Sequence, residues 1–569
     1  MTRHIIWQAL LALVGIALVF VVLFQLASTP ETMVAEVEPP LIPVQGGTYI
    51  EGIVGYVERI NPILSPRMVE TNPFEQTLGS LVFDGLTTLD ETGQITHSLA
   101  LDWEVSEDGT VYEFRLRPDV TWHDGAPFTA DDVAFTVQAL QDPDYQGPPA
   151  LQALWQTVVA EKLDSFSIRL TLEEPFPSFL YYTSIGILPA HLLSDVPAAD
   201  LPTDEFSTVT PVGTGRFKVT ELSSEQVTLV PNDTYWGGEC YLAQLEFWLY
   251  ASESDLLSAF RAGDIQGFHL EGVNDLASLG DLPNLQFYSA PTAGYGLALL
   301  NLNRETLPFF QVQEVRQALL LGLDRQALID KALNGQGLVA HSPIVSFLWA
   351  YDPTVRQYIY DPERAVGLLD AAGWMDTNGN LVRDKEGTEL AFSLLVSDDD
   401  PVMKAMAEEM VAQWSALGIQ ATVRPASSGS VSTFVRSRNF DVVLVNIAQT
   451  ADPDPYPLWH STQATGAGQN FSGFNDRDAD VLMEEARRTT DPERLAALYS
   501  SFQQIFAEQV PSLLIYHPIY TYATDASVHD VQIPPILLPG DRFRNVAQWY
   551  VETESPEITD QGEFDKSTD

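Results

Sequence analysis

Three times in the second half of this chain an aspartate stands directly before a proline at the head of an apolar-periodic run: Asp361-Pro362, Asp400-Pro401 and Asp491-Pro492. The carboxylate can accept hydrogen bonds from the unpaired amides of a first helical turn, and proline is tolerated at the first helical position because its missing N–H would have no partner there. Each pair predicts a helix start. The first helix runs through Val366 and Leu369 to Gly373, and the second carries Met403, Met406, Met410, Trp414 and Leu417 on one face up to Gly418. That spacing is a core-packing stripe. Val312, Val315, Leu319 and Leu323 predict another helix stopping near Gly335. Strand-like runs at 390–396, 419–424, 441–445 and 513–516 alternate with these helices, which implies crossover units and a sheet covered by helices. Between residues 48 and 300 strands dominate, as at 111–116 and 167–172, so the expected class is α/β with a β-richer first half. No repeat of 20–50 residues breaks that pattern.

The ends differ from this body. Residues 5–26 carry no charge, with Arg3 and His4 before them and Glu31, Glu36 and Glu38 after. A cleavable leader usually has about 7–15 apolar residues and a span needs about 20, so the run predicts an uncleaved signal anchor with the body outside. Ala27 and Thr29 leave cleavage and secretion open as the lesser reading. A proline-rich stretch to residue 45 reads as a tether, and the acidic, polar residues 551–569 read as a disordered tail.

Charge and cysteine content narrow the function. With 29 Lys+Arg against 78 Asp+Glu the formal charge is −49, a surface that repels phosphate backbones and argues against a nucleic-acid partner. Cys240 is the only cysteine, which excludes intrachain disulfides, thiolate metal clusters and a lipid-anchoring cysteine behind the apolar run. Catalytic signatures are missing too: no Gly-x-Ser-x-Gly, and no phosphate loop ending Gly-Lys-Ser/Thr. Pro211-Val212-Gly213-Thr214-Gly215 reads as a tight turn, and the nine histidines show no metal-ligand spacing. Asp376-Thr377-Asn378-Gly379-Asn380 opens like a calcium loop. Leu381 then stands where that loop requires glycine, so an Asx-type turn is the better account. A glycosidase-like acid pair has no apolar, pKa-raising context to mark it. No catalytic residue, metal ligand or cofactor is expected.

The segment from Tyr112 to Phe135, with Thr121-Trp122-His123-Asp124-Gly125 at its centre, reads locally as strand, turn and helix, Thr129 and Asp132 forming a capping box. As a whole it resembles the signature of the family 5 extracellular solute-binding proteins, the peptide/nickel-type receptors of ABC importers. Other segments agree in order along the chain: Gly46-Gly47-Thr48-Tyr49, Ile60-Asn61-Pro62, Leu81 to Leu86, Pro211 to Val219, Asn301-Leu302-Asn303, Leu323-Asp324-Arg325, Asp452-Pro453-Asp454-Pro455-Tyr456 and Phe471 to Asn475.

The resemblance, covering residues 46 to 550, implies a two-lobed periplasmic-binding-protein-like clamp with an inserted domain, here preceded by the N-terminal transmembrane anchor. On that pattern residues 1–45 are anchor and tether. Lobe I is 46–80, 206–300 and 512–550, the insert 81–205 and lobe II 301–511, with 551–569 as tail. The implied function is a monomeric, non-enzymatic extracellular receptor that captures a small solute, an oligopeptide first, and delivers it to an ABC permease complex in the membrane. An oligosaccharide or chelated metal is the alternative ligand, and a secreted hydrolase the alternative class.

Positions resembling the family's ligand-contacting segments are Glu70, Thr71, Asn72, Tyr295, Asn446, Gln449, Thr450, Asp452 and Trp459. Tyr295 and Trp459 suit core packing equally well, Asn72 before Pro73 suits a turn, and Glu70 suits a solvated acid. One departure stands out. Peptide receptors of the family place an aspartate about three residues before the Asp-Pro-Asp motif to pair with the ligand's α-ammonium, and counting back from Asp452 gives Gln449, or Thr450 with a slip of one. Neither ionises, so the expected ligand does not need a free N-terminus, unless Asp452 or Glu70 supplies the carboxylate.

Overall fold

The computed structural model describes residues 42–69, 71–270, 279, 282 and 284–554; the expected membrane anchor and Glu70 lie outside them. Among the described residues no helix is long and apolar enough to cross a membrane. Residues 45–552 form one body, and the smaller unit contributes a short ribbon, Ile42–Val44 against Glu552–Glu554. Those strands correct the edges of the expected tether and tail, which are paired backbone there.

A twelve-stranded sheet organises the body. In chain order its strands are β1 (Thr48–Val54), β2 (Phe217–Leu222), β3 (Gln226–Pro231), β4 (Gln244–Tyr250), β5 (Gly267–Leu270), β6 (Leu285–Pro291), β7 (Gly294–Leu300), β8 (Gly337–Val339), β9 (Ala391–Ser397), β10 (Gln420–Ala426), β11 (Val442–Ala448) and β12 (Leu513–Asp525). The spatial order is β10-β9-β11-β7-β12-β5-β1-β4-β3-β2, with β6 and β8 also on β12. Thus β12 is common to both halves. Its start pairs with β7 and β8, and its end pairs with β5 and β6. The cores divide the same way. One is drawn from residues between 295 and 516; a second joins residues before 250 to Tyr522, Phe543 and Trp549 and takes in a seam of Val345, Leu348, Ala451 and Tyr499; a third, smaller one packs Leu256, Phe260 and Phe268 against Ala523 on the same side as the second.

The three Asp-Pro pairs cap helices Pro362–Ala371, Pro401–Ser415 and Pro492–Gln509, and each aspartate accepts from first-turn amides. The Met/Trp stripe is buried throughout. The helix expected from Val312 to Gly335 is instead two, Gln313–Leu321 and Arg325–Ala332, because the Asp324 carboxylate accepts from the Ala327 amide and starts a new turn. The strand expected at 513–516 continues through Pro518 to Asp525.

A separate antiparallel sheet of four strands, Ala100–Val105, Val111–Leu116, Ser167–Leu172 and Val158–Asp164, carries the capping-box helix Ala130–Gln141, with the Thr129 amide donating to Asp132 Oδ2 at 2.9 Å. His123 fastens this unit to the large sheet's turn. Its Nδ1 accepts from the Gly213 amide (3.1 Å) and its Nε2 donates to the Gly215 carbonyl (2.9 Å). A Cβ on Gly213 would sit 1.8 Å from the Val82 carbonyl oxygen, so these glycines allow close backbone approach and hold no phosphate. The Asp376 carboxylate is likewise spent on its own turn, accepting from Gly379 and Leu381 amides at 2.7 and 3.0 Å. No group of three or more potential metal ligands occurs among the described residues.

Burial holds the His123 pKa down to about 4 from 6.5. Its contribution to stability is then complete above pH 6.5 and is lost as pH falls toward 4, on the order of 2 kcal/mol by pH 4.5. Denaturant titrations at pH 7 and 4.5 should show wild type losing about that much more than a His123→Asn variant; equal losses would contradict a neutral clasp.

Candidate functional site

A cavity of about 850 Å³ opens where the end of β1 meets the start of helix Pro73–Val82, β5 and β12. Asn72 builds its rim. Its Oδ1 accepts from the Phe74 and Glu75 amides at 3.0 and 3.3 Å, and its Nδ2 donates to the Tyr56 carbonyl at 3.0 Å, so the helix start and the strand end are tied together. Thr71 and Tyr520 line this cavity, and their hydroxyls are buried and without a hydrogen-bond partner. Such groups ask for a polar occupant, because leaving them dry costs about 1–3 kcal/mol each. Beside them the His269 ring stacks on Tyr520 at 4.1 Å and 7°, its Nδ1 3.1 Å from the Thr521 carbonyl; burial holds its pKa down to about 4, so it is neutral at pH 7.

The floor is an internal ion pair. Glu51 on β1 is fully buried; its Oε1 accepts from Arg542 Nε at 3.0 Å and Nη2 at 2.7 Å, and its Oε2 accepts from the Tyr522 hydroxyl, which also bonds Tyr49. Arg542 Nη1 donates to the Pro539 carbonyl at 2.7 Å. Arg542 is the cation among the cavity's described lining residues, and Glu51 cancels its charge. The cavity therefore offers hydroxyls, an aromatic face and no net positive anchor.

Of the nine expected residues, the eight that are described do not converge. Thr71 and Asn72 line the large cavity, while Asn446 and Trp459 line a second one of about 400 Å³ in the other half. Asn446 is held there, its Oδ1 accepting from the Tyr516 hydroxyl at 2.7 Å. Asp452 lines a third, of about 90 Å³. Tyr295 is 2 % exposed inside the second core, and burial raises its pKa well above the usual phenol range. Gln449 is taken up by backbone, its Oε1 accepting from the Val345 amide at 3.0 Å and its Nε2 donating to the Pro343 carbonyl at 3.1 Å. Thr450 is exposed and donates to the Asp452 carbonyl at 3.0 Å. The residues missed were Tyr520, His269, Glu51 and Arg542. Only Tyr520 had a local signal, the alternation Tyr520-Thr521-Tyr522 beyond Pro518.

A cavity of this size on a sheet shared by two cores defines a two-lobed binding protein. Residues 94–469 match the family model described as bacterial extracellular solute-binding proteins, family 5 middle. The chain belongs to that family. It is 28% identical over 517 residues to the oligopeptide-binding protein AppA of Bacillus subtilis, covering 90% of this chain and 92% of AppA. The structure of AppA in complex with a nonapeptide superposes with a TM-score of 0.63 at 26% identity, over 90% of this chain and all of that one. Di/tripeptide-binding protein 1 of Pseudomonas aeruginosa is 30% identical over 488 residues, 80% of this chain and 86% of the relative. NikZ from Campylobacter jejuni in complex with Ni(L-His) superposes at 0.66 with 26% identity, over 88% of this chain and 99% of NikZ.

Removing Arg542 alone would strand the Glu51 carboxylate. Arg542→Met should cost roughly 3–5 kcal/mol in denaturant unfolding, while the double variant Glu51→Leu with Arg542→Met should recover most of that loss. A double variant no better than the single would show that the pair's charges are not what matters.

Proposed function

We propose that this protein is a receptor that captures an oligopeptide outside the cytoplasm and delivers it to an ABC permease. Capture is binding without chemistry. The observation that carries this reading is the 850 Å³ cavity with its two unpartnered hydroxyls, on a chain whose relatives include proteins named for oligopeptides and di/tripeptides. Peptide amides and carbonyls suit the Thr71 and Tyr520 hydroxyls, and the stacked Tyr520 and His269 rings suit apolar side chains.

In this reading the clamp works as a monomer, with lobe I at 46–80, 206–300 and 512–550, the insert at 81–205 and lobe II at 301–511. Thr71 and Asn72 contact ligand from the first lobe, and Asn446 and Trp459 from the second, once the lobes close. Thr450 stands at the edge of that cleft, and Tyr295 and Gln449 shape the second lobe's face from within. The uncharged residues 5–26 hold the body at the membrane as a single span. Gln449 stands where peptide receptors of the family place an ammonium-pairing aspartate, and Glu51 cancels the charge of Arg542 on the large cavity's wall, so the ligand is read along its backbone and not by its ends.

Affinity selection from a peptide pool followed by calorimetry tests this. N-acetylated and free-amine versions of a selected peptide should bind within about tenfold, roughly 1.4 kcal/mol. Tyr520→Phe should weaken both about fivefold. A hundredfold preference for the free amine would restore an ammonium anchor, and selection of glycans or metal chelates instead of peptides would overturn the ligand class.

A further inference from the structure

The small cavity at the seam between the four-stranded unit and the second half is lined by Asp452, Asp454, Ser178, Tyr181, Tyr499 and Trp349, and shares no lining residue with the large one. Two carboxylates meet there, and among the described residues only Asp454 is in direct ion-pair contact with a cation; Arg487 acts on Asp452 from farther off. Arg487 spends itself on Asp454, with Nε and Nη2 both on Oδ2 at 2.8 and 2.6 Å, while its guanidinium lies 3.9 Å from the Tyr456 ring centroid. Asp452 receives the Asp454 amide at 3.2 Å and the Ser178 hydroxyl, both neutral donors.

A second observation is independent of the acids. Tyr181 is 4 % exposed, lines this cavity, and its hydroxyl has no hydrogen-bond partner. Around it stand the Tyr499 and Trp349 rings, 5.9 Å apart at 52°. A carboxylate without a cation in direct contact, a phenol oxygen with an open lone pair and flanking aromatic faces together form the recognition chemistry of an organic cation. An alkali ion would need a shell of oxygens, and the walls here are largely aromatic and apolar. At about 90 Å³ there is room for about three water-sized groups, an ammonium and two methylenes.

We propose that this seam cavity is a binding site for a primary alkylammonium group, with Asp452 as its counter-ion and the Tyr181 hydroxyl accepting one of its N–H bonds. Such a cation would bridge the four-stranded unit, through Tyr181 and Ser178, to the half that carries Asp452 and Tyr499. The site stands whatever solute fills the large cavity. Burial and the neighbouring Asp454 charge push the Asp452 pKa up to about 6 against the smaller opposing pull of Arg487, while burial keeps the facing Tyr181, Tyr182 and Tyr499 phenols neutral, and Arg67, which also acts on Tyr181, makes no ion pair with Asp452. Binding therefore strengthens as pH rises through 6 and Asp452 ionises.

The test is ligand-observed NMR with n-propylammonium and its neutral counterpart n-propanol, at constant ionic strength made up with sodium chloride and with no peptide present. The expected result is saturable binding of n-propylammonium only, strengthening from pH 5 to pH 7. Asp452→Asn, which keeps the shape, should weaken binding at least tenfold, and Tyr181→Phe, which keeps the ring, about fivefold. No saturable binding, equal binding of n-propanol, or undiminished binding by both variants would overturn the proposal. Should Asp452→Asn fail to fold, the Tyr181→Phe result and the pH trend decide.

Discussion

A carboxylate with no access to water, Glu51, sets the terms for this molecule. It sits on the first strand of the large sheet, and the groups that make its burial tolerable come from the other end of the chain: Arg542, 491 residues away, and Tyr522 on β12. A buried charge without such partners would cost several kcal/mol, so the fold holds only when β1, β12 and the Pro539–Phe543 turn are all in place. That turn packs against helix Pro73–Val82 and Arg542 reaches Thr77 Oγ1 at 3.3 Å, so the same clasp orients the helix whose first residues rim the large cavity. The pair also decides the cavity's electrostatics. Arg542 would otherwise be a strong anion anchor, and Glu51 turns it into a neutral floor.

From that clasp the rest of the architecture follows along β12. Its two ends belong to different cores, with Tyr516 in one and Tyr522 in the other, and residues 517–519 lie between. Beside it lies a second passage, the two-residue step from Pro291 on β6 to Gly294 on β7, where Gly294 takes φ +156°. Two thin connections side by side allow hinge motion, with the seam of Val345, Leu348, Ala451 and Tyr499 packed against the first core as the surface that would slide or part. Tyr520 lies immediately past this passage, so its unpartnered hydroxyl would report any ligand that draws the halves together.

How far the sequence speaks depends on the range of the interaction. Asp361, Asp400 and Asp491 announced their helices because a cap acts within three residues, and the Met403–Trp414 stripe announced its buried face because helical periodicity is local. Asp324 carries the same cap chemistry, and it went unread because no proline follows it. Pro518 hid the second half of β12: a proline inside a run argues against a strand, yet the Pro518 carbonyl still accepts from the Thr292 amide at 3.0 Å. The candidate site was legible only at its rim. Thr71 and Asn72 sit beside a helix start, whereas Glu51 and Arg542 reveal their partnership only once distant segments meet. Gln449 shows the opposite case: a family resemblance marked the position, and the structure gives its side chain to the backbone of residues 343–345.

Ligand capture in this molecule requires the two halves to move about β12 and the β6–β7 step and enclose the solute over the Glu51–Arg542 floor. Small-angle X-ray scattering of the soluble body with and without a saturating, affinity-selected peptide tests that claim most directly. The account predicts a smaller radius of gyration and a shorter maximum dimension in the bound state, and profiles that superpose within error at saturation would contradict it.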